Sequence, residues 1–308
     1  MPEKEAPELD ARTRYCGVLG HPIRHSASPA LQNAGMQALG LNWRYLAFDV
    51  HPDHLGEAIA GAKAMKFVGL NLTVPHKVLA FEMVDEVDES ARHWGAVNTI
   101  RFEAQDAAGV WKPMVELTDP VSDQVRTRGF NTDADAITES LREEFQWEPK
   151  DGRVLLLGAG GAGQAAALKL AFDQIAELYL INRTFTKADA LAAEIRRRFP
   201  GVKVYTDYPE DGTADVIINA TSLGLKSEDP LPLDTRRFEL RNAKFVYDMI
   251  YRPGEPPLLK QAKAAGCRTA NGAGMLLHQG ARSLEIWSGR PAPIPVMRSA
   301  LQKHLHEH

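Results

Sequence analysis

The sequence predicts an α/β protein of two domains, and three observations point to this class. The chain has 308 residues, which is more than one domain usually holds, since domains average about 150 residues. Short apolar runs alternate with helix-like segments in two separate series, from residue 15 to 103 and from 153 to 270. Such alternation is typical of parallel sheets covered by helices. The second series also opens on a glycine-rich turn, which is typical of a nucleotide-binding domain.

The elements of the first series follow from their local patterns. Strands are predicted at 15–20, 43–49, 67–73 and 97–103. Helices are predicted at about 29–39, 53–63, 76–81 and 88–93. The segment 104–125 contains Gly109, Pro113 and Pro120 and is expected to form a long hairpin or a surface excursion. The first series is therefore expected to build a parallel sheet.

A predicted helix from residue 134 to about 145 leads into the second series. Strands are predicted at 153–157, 178–181, 203–205, 216–220 and 245–248, with a short edge strand at 267–270. Helices are predicted at 187–198, 258–265 and 274–288. The closing segment from His304 to His308 is predicted to be a frayed polar tail and not a metal site, because further ligands and a fixed backbone are missing.

Composition argues against several classes of protein. The formal charge of −4, with acidic and basic residues interspersed, does not indicate binding to nucleic acid or to an anionic membrane. Cys16 and Cys267 lack CxxC spacing, so neither a disulfide framework nor a zinc site is expected, and no metal is predicted. No apolar run approaches the ~18 residues of a membrane span, and the acidic N-terminal residues are unlike a signal peptide. We predict a cytoplasmic protein with a small-molecule substrate.

The glycine-rich turn follows the predicted strand at 153–157. The residues expected to bind phosphate are Gly158, Ala159, Gly160, Gly161, Ala162 and Gly163. The first, third and sixth match the spacing G-x-G-x-x-G, in which they form a tight turn, approach a pyrophosphate and pack helix on strand. The phosphates are then expected at the helix N-terminus, where unpaired N–H groups favour negative charge.

The end of the predicted strand at 178–181 indicates which dinucleotide is bound. An NAD-binding domain would place an acidic residue here to bond the ribose 2′-hydroxyl. Instead, the strand is followed by Asn182, Arg183 and Thr184, with Lys187 close behind. A guanidinium can clamp a 2′-phosphate with paired, charge-assisted hydrogen bonds. The predicted cofactor is therefore NADP, the alternative being that Arg183 and Lys187 only solvate a loop and a helix start.

Seven polar clusters lie at the ends of predicted elements, where open α/β sheets bind ligands. They are His25-Ser-Ala-Ser-Pro29, Asn71-Leu-Thr-Val-Pro-His-Lys77, Gly95-Ala-Val-Asn-Thr99, Asn131-Thr-Asp133, Asn219-Ala-Thr-Ser222, Asp248-Met-Ile-Tyr251 and Asn271-Gly-Ala-Gly-Met-Leu-Leu-His-Gln279. Together with the glycine turn, their order and spacing make the chain similar to the shikimate dehydrogenase family from about Tyr15 to Gly289.

This resemblance implies a fold and a reaction. The fold would be an N-terminal α/β substrate domain, residues 1–132 with 273–308, and a Rossmann-type doubly wound NADP-binding domain, residues 133–272, with the active site in the cleft. The reaction would be the reversible NADPH-dependent reduction of 3-dehydroshikimate to shikimate, on the route to chorismate and the aromatic amino acids. The enzyme is expected to be a monomer or a homodimer.

The resemblance also implies residue roles. The substrate-binding residues would be Ser26 and Ser28 at the carboxylate, Asn71, Thr73, Asn98 and Gln279 at the hydroxyls, and Tyr251 near the nicotinamide and the substrate carboxylate. The catalytic residues would be Lys77 and Asp133, and Asp133 would also help to hold the substrate hydroxyls. Further cofactor contacts are expected at Thr221, Met249 and Gly272.

The chemistry of the serines and of Lys77 agrees with these roles. Pro29 biases the preceding segment toward extended backbone, so both serine hydroxyls can face one side, although Ser28 could instead cap a helix. Hydride transfer to a ketone leaves an alkoxide, which a lysine ammonium can stabilise and protonate, while a nearby Asp133 would orient the lysine. The alternatives are a solvated Lys77 and an Asp133 that caps the helix at 134–145.

Other assignments stay more open. Asn71 and Thr73 share one face before Pro75, but both could be ordinary strand-end residues. Gln279 shares a helix face with apolar neighbours and needs hydrogen-bond partners, which a substrate or a domain boundary could offer. Asn219 and Thr221 could bond the cofactor or stabilise a turn.

Two functional alternatives remain. One is a quinate/shikimate dehydrogenase with relaxed cofactor choice, and the other is a non-catalytic regulatory protein that responds to NADP or shikimate. The intact serine pair and the Asn182–Thr184 segment favour shikimate with NADP. The segment between Ile100 and Gly129 is longer than expected for the family, which puts its strand boundaries in doubt.

Overall fold

The computed structural model describes residues 9–117, 123–226, 228–251 and 254–307. Part of the predicted hairpin segment, residues 118–122, and His308 of the predicted tail lie outside the described residues. The chain divides into two compact units. The first runs to Asp133 and resumes at Leu277–Glu307, and the second is Ala134–Leu276.

The first unit contains a mixed sheet with helices packed on it. Its strands are β1 (Arg14–Gly20), β2 (Trp43–Asp49), β3 (Gly69–Leu72), β4 (Glu86–Val87), β5 (Thr99–Gln105), β6 (Trp111–Pro113) and β7 (Val125–Phe130). Its first helices are α1 (Ser28–Ala38), α2 (Leu55–Ala64), α3 (His76–Leu79) and α4 (Glu89–Arg92). The strand order is β2-β1-β3-β5-β7-β4, with β6 paired to β5.

The prediction of a parallel sheet is confirmed for β1, β2 and β3 but wrong for β5, which corresponds to the strand predicted at 97–103. The strand β7 was not predicted. β5 runs antiparallel to β3, β6 and β7. Of the described residues between β5 and β7, Trp111–Pro113 form β6 and Met114–Glu116 a 3-10 helix, and none of them forms an α-helix. Parallel neighbours are usually joined by a crossover α-helix, whereas antiparallel strands can be joined directly. As a result, the start of β5 lies beside the carboxyl ends of β3 and β7, where Asn71 pairs with Thr99 and Thr99 with Phe130.

The second unit is a doubly wound parallel sheet, as predicted. Its strands are β8 (Arg153–Leu157), β9 (Glu177–Ile181), β10 (Lys203–Tyr205), β11 (Ala214–Asn219), β12 (Ala243–Asp248) and β13 (Arg268–Asn271). Its helices are α5 (Asp133–Phe145), α6 (Gly161–Phe172), α7 (Phe185–Arg198), α8 (Pro257–Ala264) and the start of α9 (Ala273–Ser288). The strand order is β10-β9-β8-β11-β12-β13. Successive strands are added to one side of β8 up to β10 and then to its other side from β11 onward, so the topology switches between β8 and β11. Nucleotides bind at the carboxyl ends of strands at such a point in open α/β sheets.

The apolar strands explain this sheet. Residues Val154 to Leu157 are fully buried, and Val216, Ile217 and Ile218 of the neighbouring strand are as well. Strands buried on both faces form near-continuous apolar runs of this type. None of the helices in the described ranges is long and apolar enough to cross a membrane.

The C-terminal segment departs from its prediction. The predicted frayed tail is wrong, because residues Ile294–Glu307 form the helix α10. Met297 and Leu301 are buried, and the Met297 sulfur would lie only 3.0 Å from a Cβ added at Gly35 of α1. These two residues are one helical turn apart, so the apolar spacing of a packed helix was present in the sequence.

The helix α9 packs closely on the first sheet. A Cβ added at Gly69 of β3 would lie 2.0 Å from the indole nitrogen of Trp287. That indole N–H donates to the carbonyl of Ile100, at 2.9 Å. The absence of a side chain at Gly69 therefore lets α9 approach β3. Ser283, one turn before Trp287 in α9, then lies beside Asn71 at the end of that strand.

Candidate active site

The predicted catalytic residues of the first unit meet at the carboxyl edge of its sheet. The ammonium of Lys77, in the short helix α3 after β3, donates to Oδ2 of Asp133 at 2.8 Å. The Lys77 side chain is 32% exposed and that of Asp133 13% exposed. The pair is therefore oriented within the protein while the ammonium stays accessible to a small molecule.

The end of β7 determines where the Asp133 carboxylate points. Oδ1 of Asn131 accepts the backbone N–H of Asp133 at 3.0 Å, so Asn131 satisfies this N-terminal amide of α5. Asp133 is the first residue of the helix. Asp133 thus lies within α5 and not at the position before it, and its carboxylate contacts Lys77.

Asn98 holds the residue before Asp133. Its Oδ1 accepts the N–H of Thr132 at 2.8 Å, and its Nδ2 donates to Oγ1 of the same residue at 2.9 Å. Asn98 is 1% exposed. Most of its hydrogen-bonding capacity is therefore used in fixing the segment that carries Asp133.

His76, next to Lys77, is a fully buried residue. Burial lowers the pKa of its imidazole, against a smaller opposing effect of the Val50 carbonyl, and His21 and His51 also lower it. A lowered pKa keeps the ring neutral at neutral pH. His76 therefore adds no positive charge beside the Lys77 ammonium.

Asn71 is the centre of a buried polar network. Its Oδ1 accepts from the hydroxyl of Tyr45 at 2.7 Å. Its Nδ2 lies within hydrogen-bonding distance of the Asn98 carbonyl, Thr99 Oγ1 and Ser283 Oγ, at 3.2, 3.0 and 2.9 Å. Two N–H groups thus face three acceptors, so the lone pair left at Oδ1 is the capacity that Asn71 retains for a ligand.

The two serines of the predicted carboxylate site lie at the start of α1. Ala27 is the N-cap residue and Ser28 is the first helical residue, so Ser28 is not the helix cap. Oγ of Ser26 accepts the N–H of Ser28 at 3.3 Å. Burial raises the pKa of Tyr45 well above 10, and a hydrogen bond with Ser28 partly opposes this. Ser28 is therefore connected through Tyr45 to Asn71.

Several network residues were not found from the sequence. Tyr45 and Ser283 were missed, and Thr132 was given no role of its own within the Asn131-Thr-Asp133 cluster. Ser283 follows Gln279 by one helical turn and donates to its carbonyl at 2.9 Å. That spacing places both on one face of α9 and was the available signal. The Gln279 side chain is half-buried, as is Thr73 on the loop after β3.

In the second unit, the glycine turn has the geometry that its spacing predicts. Gly158 has φ +106, where a side chain is strained, and its N–H donates to the Ile181 carbonyl at 2.7 Å. A Cβ on Gly163 would lie 2.0 Å from the Gly158 carbonyl oxygen. By contrast, a Cβ on Gly160 or Gly161 would meet nothing within 4 Å. The turn therefore packs tightly on one side and is open on the other.

The helix α6 begins at this open side. Gly160 is its N-cap and no side chain caps it. The first N–H groups of a helix have no partner within the helix and attract anions. Together with the open space beside Gly160 and Gly161, this fits a pyrophosphate, so the turn suits the predicted NADP.

The segment after β9 divides into a structural and an exposed part. Asn182 accepts the Ala159 N–H at 3.0 Å and donates to the Thr184 carbonyl at 2.8 Å, so it links the glycine turn to this segment. Arg183, Thr184 and Lys187 are exposed. Their two cations and the absence of a carboxylate in this short segment suit a 2′-phosphate.

Asn219 at the end of β11 stabilises a turn. Its Oδ1 accepts from both the N–H and the hydroxyl of Thr221, at 3.0 and 2.8 Å. Its Nδ2 donates to the Leu223 carbonyl and to Asp248 Oδ1, each at 3.1 Å. All four hydrogen-bonding positions of the amide are used and Asn219 is 0% exposed, so the turn-stabilising alternative is the one the geometry supports.

The other predicted residues of this unit follow β12 and β13. The N–H of Met249 donates to the Asn219 carbonyl at 2.9 Å. A Cβ on Gly272 would lie 2.1 Å from the Met249 carbonyl oxygen, so glycine allows the two segments to meet. Tyr251 is half-buried. These residues and Thr221 thus lie at the carboxyl edge that also holds the glycine turn.

Comparison with known proteins agrees with this geometry. Residues 18–100 match the shikimate dehydrogenase substrate binding domain, 139–227 the shikimate/quinate 5-dehydrogenase family, and 272–302 the shikimate 5′-dehydrogenase C-terminal domain. A shikimate dehydrogenase (NADP+) of Methanopyrus kandleri is 39% identical over 96% of this chain and 98% of its own length.

Solved structures are similar over nearly the whole chain as well. A shikimate dehydrogenase in complex with NADP+ superposes with a TM-score of 0.82 at 36% identity, covering 98% of this chain and 99% of the other. The ligand-free 5-ketofructose reductase of Gluconobacter sp. strain CHM43 superposes with a TM-score of 0.79 at 32% identity, covering 96% and 100%. The same fold thus accepts different keto substrates, and the site residues must decide between them.

Proposed function

Because the chain belongs to the shikimate dehydrogenase family, we propose that it catalyses the reversible NADPH-dependent reduction of 3-dehydroshikimate to shikimate. This reaction lies on the route to chorismate and the aromatic amino acids. The ion pair between Lys77 and Asp133 is the observation that supports the proposal most directly. It places a proton donor and an orienting carboxylate at the ligand-binding edge of the first sheet.

The proposed chemistry assigns the proton to Lys77. NADPH, when bound, supplies the hydride that reaches the keto carbon. The π electron pair of the carbonyl then moves to oxygen, and the Lys77 ammonium donates a proton to that oxygen to give the alcohol. Asp133 stabilises the charged lysine before transfer and can accept a hydrogen bond from a substrate hydroxyl. Lys77 regains its proton from solvent, and the reverse reaction uses the neutral amine as base.

We propose that the remaining polar residues recognise the substrate. Ser26 and Ser28 bind its carboxylate, while Thr73, Asn98 and Gln279 bind its hydroxyls. Asn71 contributes through the remaining capacity of its Oδ1, and its main role is to connect Tyr45, Thr99 and Ser283. Tyr251 of the second unit is assigned to the nicotinamide and the substrate carboxylate.

NADP is proposed to bind along the carboxyl edge of the second sheet. The glycine turn from Gly158 to Gly163 holds the pyrophosphate on α6, and Arg183 with Thr184 and Lys187 holds the 2′-phosphate. Thr221, Met249 and Gly272 complete the cofactor contacts. Asn182 acts by joining the turn to the phosphate-binding segment.

We assign residues 1–132 and 273–308 to the substrate-binding domain and 133–272 to the NADP-binding domain. The enzyme is proposed to work in the cytoplasm as a monomer or a homodimer. Cys16 and Cys267 are both free and buried, which suits a reducing compartment.

Steady-state rates with shikimate and quinate, each with NADP+ and NAD+, test the proposal. We expect the highest kcat/KM for shikimate with NADP+. Faster turnover of quinate would favour the quinate/shikimate alternative, and calorimetric binding of NADP+ or shikimate without turnover of either substrate would favour a regulatory protein. Fructose with NADP+ is a useful fifth pair, because a structural relative is a 5-ketofructose reductase.

The variant Arg183→Ala tests the choice of cofactor. We expect it to lower kcat/KM for NADP+ by ~10-fold or more while leaving that for NAD+ within ~2-fold, since only NADP carries the 2′-phosphate. Arg197→Ala, an exposed arginine in the last turn of α7, is the matched control. Equal losses with both cofactors would contradict the role assigned to Arg183.

A further inference from the structure

We infer that Asn219 and Asp248 are a pair of positioning residues that set the cofactor-binding residues after β11, β12 and β13. The inference rests on the proposed NADP site of the second unit. Neither residue is assigned a contact with the cofactor. They act through Thr221 and Met249, which they hold in place.

Asp248 is a buried carboxylate at the end of β12. It is 0% exposed, and its Oδ1 accepts from Asn219 Nδ2 at 3.1 Å and from the Ile250 N–H at 3.0 Å. Burial of a carboxylate is costly unless hydrogen-bond donors compensate it. These donors come from the end of the neighbouring strand and from the residue two positions along the chain, so the carboxylate fixes both segments.

Asn219 transmits this restraint to the loop after β11. Because its amide donates to Asp248, its Oδ1 is turned toward the N–H and hydroxyl of Thr221. The Thr221 hydroxyl in turn accepts the Leu223 N–H at 3.1 Å. The amide orientation of Asn219 therefore depends on an acceptor at position 248 and determines the conformation from residue 219 to 223.

The third strand end is held through the backbone. Met249 donates its N–H to the Asn219 carbonyl at 2.9 Å, and its own carbonyl lies against Gly272. The Gly272 N–H donates to the Ile250 carbonyl at 3.3 Å. In the sheet, Asn219 pairs with Asp248 and Asp248 with Asn271. One buried pair thus connects three adjacent strand ends where cofactor contacts are proposed.

The variant Asp248→Ala removes the acceptor, and Asp248→Asn keeps Oδ1 and so is the conservative rescue. We expect Asp248→Ala to raise the NADP+ dissociation constant, measured by calorimetry without turnover, by ~10-fold or more. Asp248→Asn should recover most of that loss. Amide hydrogen exchange in the free enzyme should become faster in the alanine variant at Ile250, which loses its acceptor, and at Thr221 and Leu223, whose acceptors lose their restraint.

Asp215→Ala is the matched control. Asp215 lies near the amino end of the same strand, β11, away from the proposed cofactor site. It also accepts a backbone N–H, from Arg153 at 2.9 Å. It should leave the NADP+ dissociation constant within ~2-fold of wild type. An equal loss of affinity in this control and in Asp248→Ala would assign the effect to general destabilisation and overturn the inference.

A second pair of variants avoids truncation, in case Asp248→Ala does not fold. Asn219→Asp places two carboxylates against each other and should weaken NADP+ binding. The double variant Asn219→Asp with Asp248→Asn restores one donor and one acceptor and should bind more tightly than the single variant. NADP+ affinity unchanged in folded Asp248→Ala, or in Asn219→Asp, would overturn the inference. Failure of the wild type to bind NADP+ would instead overturn the proposed function.

Discussion

The two units build their ligand-binding edges from different groups. In the first unit the edge consists of side chains, with Asn71, Asn98 and Ser283 joined in a buried network and Lys77 paired with Asp133. In the second unit the edge consists mainly of backbone, with glycines where a Cβ would collide or where an anion needs access. The difference suits the ligands proposed for each.

A small substrate with a keto group, hydroxyls and a carboxylate must be distinguished from close analogues. Side-chain donors and acceptors at defined positions provide that discrimination, because an analogue without a matching group leaves a buried polar atom unpaired. A pyrophosphate needs several N–H groups at close range, which a glycine turn and a helix N-terminus supply. The contrast predicts that the first unit is impaired by loss of polar side chains, whereas the glycine turn of the second unit is impaired by an added Cβ atom.

Removal of the Lys77 ammonium should have the largest effect. Lys77→Ala is expected to reduce kcat by ~10²-fold or more, since general acid–base catalysis contributes at least this much, with NADP+ affinity nearly unchanged. Lys63→Ala is the matched control, because Lys63 pairs with Asp85 at 3.1 Å and is 36% exposed. Full activity of the Lys77 variant would overturn the proposed catalytic assignment.

In the second unit, addition of a Cβ at Gly163 should have the next largest effect, and the property affected should be NADP+ affinity. In Gly163→Ala the new Cβ would lie 2.0 Å from the Gly158 carbonyl oxygen, so the turn must move away from α6. Overpacking of this kind costs about 1–3 kcal/mol, and NADP+ affinity measured by calorimetry should fall by ~10-fold or more.

Gly201→Ala separates this effect from a general cost of replacing glycine. A Cβ there would meet nothing within 4 Å. It should leave NADP+ affinity at the wild-type value. If Gly163→Ala bound NADP+ equally well, the tight side of the turn would not be needed to shape the phosphate site.

Loss of the buried Glu103 carboxylate should have the smallest effect, and one that depends on pH. Burial alone would raise the pKa of Glu103, but hydrogen bonds from Arg101 and Arg126 outweigh it and lower the pKa below its ordinary value. Glu103→Gln should destabilise the protein by about 1–2 kcal/mol at pH 7, because both arginines are partly exposed and can be rehydrated.

The sign of the pH dependence follows from the lowered pKa. The stabilisation is fully present above the ordinary glutamate pKa of about 4.3 and is lost as the pH falls through the lower folded-state value. Urea unfolding at pH 7 and at successively lower pH should therefore show the difference between wild type and Glu103→Gln shrinking in acid. A difference that grew in acid would contradict this account.

Much of the local structure could be predicted from the sequence. The glycine turn, the strand that precedes it and the edge strand β13 follow from short-range patterns, and the structure confirms them. The C-terminal helix α10 was missed because its polar ending obscures the helical spacing of Met297 and Leu301. The strand β7, and with it the antiparallel pairing of β5 in the sheet, was missed, because the expected hairpin or surface excursion at 104–125 did not specify which strand follows it.

Side-chain partners could not be predicted in the same way. Asn219 looked equally suited to a cofactor and to a turn, and its contacts with Thr221, Leu223 and Asp248 decide for the turn. Ser28 looked suited to a helix cap, yet Ala27 occupies that position. For Asn219 the outcome depends in part on Asp248, which lies 29 positions away on the neighbouring strand. For Ser28 it depends on the residue at which α1 begins.

The sequence by itself determined the class of fold, the position of the phosphate-binding turn and the types of residue available for proton transfer. These features depend on periodicity, on backbone conformations that only glycine adopts easily, and on chemistry within short segments. The sequence proposed Lys77 and Asp133 as partners, but only the tertiary structure decided that they lie 2.8 Å apart, across 56 positions of the chain. Hydrogen bonds act over about 3 Å, so their partners are determined by how strands and helices pack in space.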